Sequence, residues 1–130
     1  MTKSAYILAV DDDRDFLDIV CDRLKRDGFM VATEPDGAAA LASIEKKLPD
    51  LVLMDVQMPI KDGFATVAEI GKNPKTKNLR IIFLTNLGEA APASMEINKK
   101  LAEQVGGLGY FKKGGDMDLL VMEIKKVLNL

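Results

Sequence analysis

The chain has 130 residues, 48% of them hydrophobic and 29% charged, and its 18 basic and 20 acidic side chains leave a formal net charge of −2. That is the size and balance of one globular domain over residues 1–130, with no electrostatic footprint for nucleic acid and no apolar run near the ~20 residues a membrane helix needs. The absence of histidine excludes chemistry that needs an internal imidazole, and a lone Cys21, with no signal-peptide core after MTKSAY, points to a reducing, cytoplasmic setting.

Along the chain two periodicities alternate. YILAV (6–10) is a short apolar run that reads as a strand and leads into three acids, Asp11, Asp12 and Asp13. Phe16, Val20 and Leu24 follow at helical spacing, closed by Gly28. MVAT (30–33) is a second strand, and Leu41, Ile44 and Leu48 mark a second helix ended by Pro49. LVLM (51–54) is a third strand that runs straight into Asp55. Asp62 begins a third helix, Gly63 beside it supplies positive φ, Phe64, Val67 and Ala68 form its apolar side, and Asn73-Pro74 ends it. RIIFL (80–84) is a fourth strand leading into Thr85, followed by a fourth helix through Ile97, Leu101 and Val105 that Gly106-Gly107 stops. GYFK (109–112) is a fifth strand leading into Lys113, and Leu120, Ile124 and Leu128 line a fifth helix. Cys21 reads as a small packing residue near an apolar face.

Strands alternating with helices imply right-handed crossovers and a parallel sheet covered on both faces. The expected fold is therefore α/β, a single doubly wound (βα)5 domain, and in such sheets ligands bind outside the carboxyl ends of the strands. If the order is the flavodoxin-like 2-1-3-4-5, that crevice gathers the strand-end acids, Thr85 and Lys113. Asp55 would lie beyond the dry layer and ionise without burial. Carboxylates crowded together repel unless a positive charge sits among them. Oxygen ligands without Cys or His favour Mg²⁺ or Mn²⁺, which commonly shares its coordination with a phosphate.

VDDD at 10–13, DVQMPIKDG at 55–63, the strand-end Thr85 and GYFKK at 109–113, in that order on five strand-helix units, resemble the receiver domain of two-component response regulators of the chemotaxis-regulator kind. The resemblance covers roughly residues 5–129. It implies that Asp55 accepts a phosphoryl group from a phosphohistidine in a histidine kinase or phosphotransfer protein, and later loses it slowly. Asp11 and Asp12 would hold Mg²⁺ (or Mn²⁺) with Asp55 and the backbone carbonyl of Gln57. Thr85 and Lys113 would contact the phosphoryl oxygens, and Thr85 with Tyr110 would form the switch. The resemblance further implies an output surface on the fourth helix, fifth strand and fifth helix, meeting a downstream protein or forming a homodimer, with no direct contact to nucleic acid or membrane. Such a protein is not an enzyme beyond its own phosphorylation and dephosphorylation, and no output domain is visible in the sequence.

Plainer roles compete at each position. Asp12 or Asp13 can cap the first helix, Thr85 is an ordinary strand residue, and Lys113 next to Lys112 can be merely solvated. Asn86 and Gly114 depart from the receiver pattern, where a small residue and a proline with its cis peptide are usual, and the segment 86–109 is several residues longer. Three other readings stand as alternatives. A metal-dependent phosphohydrolase with an aspartate nucleophile lacks its D-x-D on the first strand here. A flavin carrier would have its phosphate repelled by DDDRDF. A degenerate receiver acting as a binding module is the third.

Overall fold

The computed structural model describes residues 4–56, 58, 62–85 and 103–130. Five strands, β1 (Tyr6–Val10), β2 (Met30–Glu34), β3 (Leu51–Asp55), β4 (Arg80–Thr85) and β5 (Gly107–Lys112), form one parallel sheet in the order β2-β1-β3-β4-β5. The helices among the described residues are α1 (Arg14–Arg26), α2 (Gly37–Lys46), α3 (Gly63–Lys72) and, after β5, α4 (Met117–Leu128). The doubly wound α/β fold expected from the sequence is the fold observed. Its predicted fourth helix lies mostly outside the described residues, so α4 is the fifth of the predicted helices.

Two apolar layers hold the sheet, and strand alternation divides its side chains between them. Ile7, Ala9, Leu51, Leu53, Ile82, Leu84 and Phe111 pack under α1 and α4, against Phe16, Val20, Leu24, Leu120, Ile124 and Leu128. Leu8, Val10, Val52, Met54, Ile81 and Phe83 point the other way, toward Ala40, Ile44, Val67 and Ile70 of α2 and α3. The central strands are buried on both faces and so read as continuous apolar runs, whereas the edge strand β2 is half exposed.

Several boundaries differ from the periodicity. α2 ends at Lys46, where Lys47 turns extended two residues before Pro49, so Leu48 falls beyond the helix and is exposed; Ala40 takes the core position instead. β5 begins at Gly107, which pairs with Arg80, so of the two glycines read as a helix stop the second is already strand. Gly28 does close α1 with a positive φ.

Candidate functional site

Placing β1 beside β3 decides the geometry of the crevice. Val10 pairs with Met54, so the residues just beyond, Asp11 and Asp55, come side by side at the carboxyl end of the sheet. One ligand oxygen from each of Asp11, Asp12 and Asp55 lies within 4.8 Å of the others. Asp11 is 0% and Asp55 2% exposed, whereas Asp12 faces solvent. This corrects the expectation that Asp55 would ionise outside the dry layer: it is the last residue of β3 and is buried on the face of Leu51 and Leu53 that packs under α1 and α4, while the start of α3 closes on its backbone carbonyl from the other side.

Two devices at helix starts fix the chain around the crevice. Asp13 caps α1, its Oδ1 accepting the Phe16 N–H at 3.2 Å, and its own N–H donates to Asp11 Oδ1 at 2.9 Å. The capping role therefore belongs to Asp13, and Asp12 is left free to face the crevice. Asp62 caps α3 through the Ala65 N–H at 2.7 Å, as its place in the sequence suggests. Gly63, however, has no positive φ; it is small because a Cβ there would lie 2.1 Å from the Asp55 carbonyl oxygen. Its N–H donates to the Val56 carbonyl at 3.0 Å, drawing α3 over the end of β3.

Lys113 supplies the positive charge. It follows Phe111 on the face shared by Leu84 and Asp55, and its ammonium lies 2.7 Å from Asp11 Oδ2 and 3.8 Å from Asp55 Oδ2. Burial alone would lower the Lys113 pKa, but Asp11, with Asp55 and Asp13, outweighs it and holds the group above its ordinary value. The ammonium also lies 4.9 Å from the centre of the Phe16 ring, a contact sequence reasoning missed because Phe16 fits the apolar spacing of α1. After Lys113 the chain turns at Gly114, whose φ of +88° suits glycine and carries no cis peptide.

Three carboxyl groups thus face one ammonium. Buried Asp11 Oδ2 is paired with the Lys113 ammonium at 2.7 Å, the shortest of the contacts that hold that charge in the crevice. An all-oxygen donor set of three carboxylates with a single ammonium beside it fits a hard divalent cation. The expected fourth donor, the Gln57 carbonyl, and Asn86 lie outside the described residues.

Thr85 and Tyr110 occupy the other face. Thr85 pairs with Lys112 and Phe83 with Tyr110, so all four share a side of the sheet. The Thr85 hydroxyl lies 3.5 Å from the Phe111 carbonyl, at the limit of a hydrogen bond, and the Tyr110 ring sits 5.9 Å from that of Phe83 while remaining 43% exposed. Its partial burial raises the phenol pKa.

The family model for the response regulator receiver domain matches residues 7–125. The chain belongs to that family. The receiver is 34% identical over 122 residues, 94% of its length, to the transcriptional regulatory protein CpxR of Klebsiella pneumoniae, of which it spans 48%. It is 36% identical over 84 residues, 65% of its length, to the response regulator PleD of Caulobacter vibrioides, of which it spans 18%. The receiver therefore covers half or less of these curated relatives. Among solved structures it resembles the Vibrio cholerae chemotaxis protein CheY4 (29% identity, TM-score 0.85, covering 96% of this chain and 99% of that one). It also resembles a response regulator of Chloroflexus aurantiacus (28% identity, TM-score 0.85, covering 98% and 100%). On the receiver's β5 side, Tyr110, Lys112, Leu119, Met122, Glu123 and Lys126 line an open cleft of about 520 Å³ between β5 and α4. No helix among the described residues is long and apolar enough to cross a membrane.

Proposed function

We propose that this receiver accepts a phosphoryl group on Asp55 from a phosphohistidine in a histidine kinase or phosphotransfer protein, and that its chemistry extends no further than gaining and losing that group. The observation that carries the reading is the meeting of Asp11, Asp12 and Asp55 with Lys113 at one end of the sheet, in a chain of the receiver family. A carboxylate oxygen of Asp55 attacks phosphorus, the P–N bond to the donor imidazole breaks, and the leaving imidazole takes up a proton. Little covalent help is needed for such a transfer, so positioning and charge neutralisation do most of the work. Asp11, Asp12 and Asp55, with the Gln57 carbonyl, would hold Mg²⁺ or Mn²⁺, which supplies charge stabilisation to the phosphoryl oxygens. Lys113 neutralises a further oxygen, and the Thr85 hydroxyl, weakly held by the Phe111 carbonyl, is available to donate another hydrogen bond. Attack by water on the acyl phosphate later returns the carboxylate and inorganic phosphate. The same groups in one crevice speak against a degenerate receiver, and no observation favours a phosphohydrolase acting on a separate substrate.

The test is intact mass after incubation with acetyl phosphate and Mg²⁺. Wild type should gain one phosphate mass and Asp55→Asn none; equal labelling of the two would remove Asp55 as acceptor. Downstream, the cleft beside Tyr110 and the apolar Leu119 and Met122 supports a partner or dimer face on β5 and α4.

A further inference from the structure

The formal net charge of −2 conceals a separation of charge along the strands. Each described helix runs back against the strands, so helix ends and strand starts share the end of the sheet opposite the crevice. The segments 25–30, 45–50, 72–80, 103–107 and 125–130 that build this end carry ten basic and four acidic side chains. Of those acids, Asp27 is paired with Arg23 at 3.0 Å and Asp50 accepts the Tyr6 N–H at 2.7 Å. At the crevice end acids collect instead, among them Asp11, Asp12, Asp13, Asp36, Asp55 and Asp62. Complementing the helix dipole accounts for Lys25, Lys46 and Lys72 in last turns. It does not account for exposed Lys47, Lys75 and Lys77, which lie past the helices, nor for two large apolar side chains at the same end: Met30 is 47% and Leu48 57% exposed. Met30 pairs with Tyr6, the Lys47 ammonium lies 4.5 Å from the centre of the Tyr6 ring, and the Asp50 N–H donates to the Tyr6 carbonyl at 2.8 Å. Lys47 and Leu48 are thereby held beside Met30 in one patch.

We propose that this basic end docks on the surface of a bilayer carrying anionic lipid, with Met30 and Leu48 entering the headgroup layer and the lysines around them lying over the lipid anions. Lysine suits such a surface, because its aliphatic stem lies along apolar groups while the ammonium stays in the polar layer. The half-buried Tyr6, apolar in its ring and polar at its tip, suits the same depth. Nucleic acid would meet the same charge, but its phosphate backbone offers nothing to two aliphatic side chains. A pocket would favour a protein partner, whereas these charges are spread over several connections at one end of the sheet. The separation also sets orientation: the surface that attracts the basic end repels the acidic crevice, so Asp55 faces away from the bilayer and stays open to a phosphoryl donor. This departs from the expectation of no direct membrane contact, since a net charge near zero says nothing of where the charges lie.

Cosedimentation of the full chain with lipid vesicles tests this. Wild type should bind vesicles of mixed phosphatidylserine and phosphatidylcholine at low ionic strength, and lose that binding on pure phosphatidylcholine or in high salt. Lys46→Gln combined with Lys47→Gln should weaken binding about fivefold for each lysine removed, the usual worth of one basic residue at such a surface. Leu48→Ser should weaken it at unchanged charge. The chain has no tryptophan, so Leu48→Trp gives a single reporter whose emission should shift to the blue on the phosphatidylserine vesicles. Failure of wild type to bind those vesicles, or equal binding to pure phosphatidylcholine, overturns the proposal without help from any variant. Binding to duplex DNA that Leu48→Ser leaves unchanged, with no blue shift on vesicles, assigns the basic end to nucleic acid and overturns it as well. The proposal does not rest on phosphoryl transfer: the substituted residues are exposed and lie at the far end from Asp55, so acetyl phosphate labelling of the variants should match wild type. Failure of wild type to label would remove the proposed function and leave the docking standing.

Discussion

Gly63 shows how strongly one atom can matter at this site. Its missing Cβ would stand 2.1 Å from the Asp55 carbonyl oxygen and 3.0 Å from a Met54 side-chain carbon, both part of the buried end of β3. Backbone cannot yield as a flexible side chain does, so Gly63→Ala must push α3 away from Asp55. Overpacking of this kind costs about 1–3 kcal/mol. Denaturant unfolding of Gly63→Ala should show a loss of that size, together with slower acetyl phosphate labelling; a variant as stable as wild type would mean that α3 is not pinned there. Gly114 is a different case, with nothing within 4 Å of its would-be Cβ but a φ of +88°. Its substitution is opposed by backbone strain alone. The sequence marks both positions as glycine next to a functional residue, but only the structure distinguishes close approach from positive φ.

At the scale of the element, the start of α1 combines two tasks that adjacent acids divide. Asp13 Oδ1 caps the helix, while Asp12 is exposed with a carboxyl oxygen in the metal cluster. Asp13→Ala should lower stability by about 1 kcal/mol, the usual value of an N-cap, and leave metal affinity nearly intact because the backbone N–H to Asp11 survives. Asp12→Ala should do the reverse. Calorimetric metal titration beside thermal melts checks the pair, and the opposite pattern would exchange their roles. DDD at 11–13 leaves this division open, because either Asp12 or Asp13 stands at capping distance from the helix. The elements themselves were legible from the continuous apolar runs of buried strands and the helical spacing of Phe16, Val20 and Leu24. Leu48 misled because helical spacing continues past the point where the chain turns extended toward Pro49. The burial of Asp55 was hidden for another reason: its carboxylate lies on the face covered by α1 and α4, beside Lys113, and a strand's own sequence says nothing about what covers its end.

The whole molecule has to carry a change at Asp55 to a surface on another face of the sheet. Asp55 pairs with Leu84, the residue before Thr85, and Thr85 pairs with Lys112, which shares its face with Tyr110 and Phe83. Lys113 ties the same strand back to the acids, through its ammonium on one side and its N–H to the Thr85 carbonyl on the other. β5 is thus attached to the site twice, once through β4 and once through Lys113, and it borders the cleft lined by Tyr110, Leu119 and Met122. α2 has neither attachment, and α1 touches the site only through its first turn. A phosphoryl group can act at the cleft only by favouring one of two arrangements already accessible to the chain, with a coupling of about 1–3 kcal/mol being usual. Beryllofluoride, standing in for the phosphoryl group on Asp55, should therefore change amide exchange most from Thr85 through β5 and into the first turn of α4. The body of α1 and α2 should change least. Lys113→Met should weaken the response in β5 even where beryllofluoride still binds, because one of the two attachments is gone. If the largest change fell on α2 while β5 stayed silent, the path through Thr85 and Lys113 would be wrong, although Asp55 could still be the acceptor.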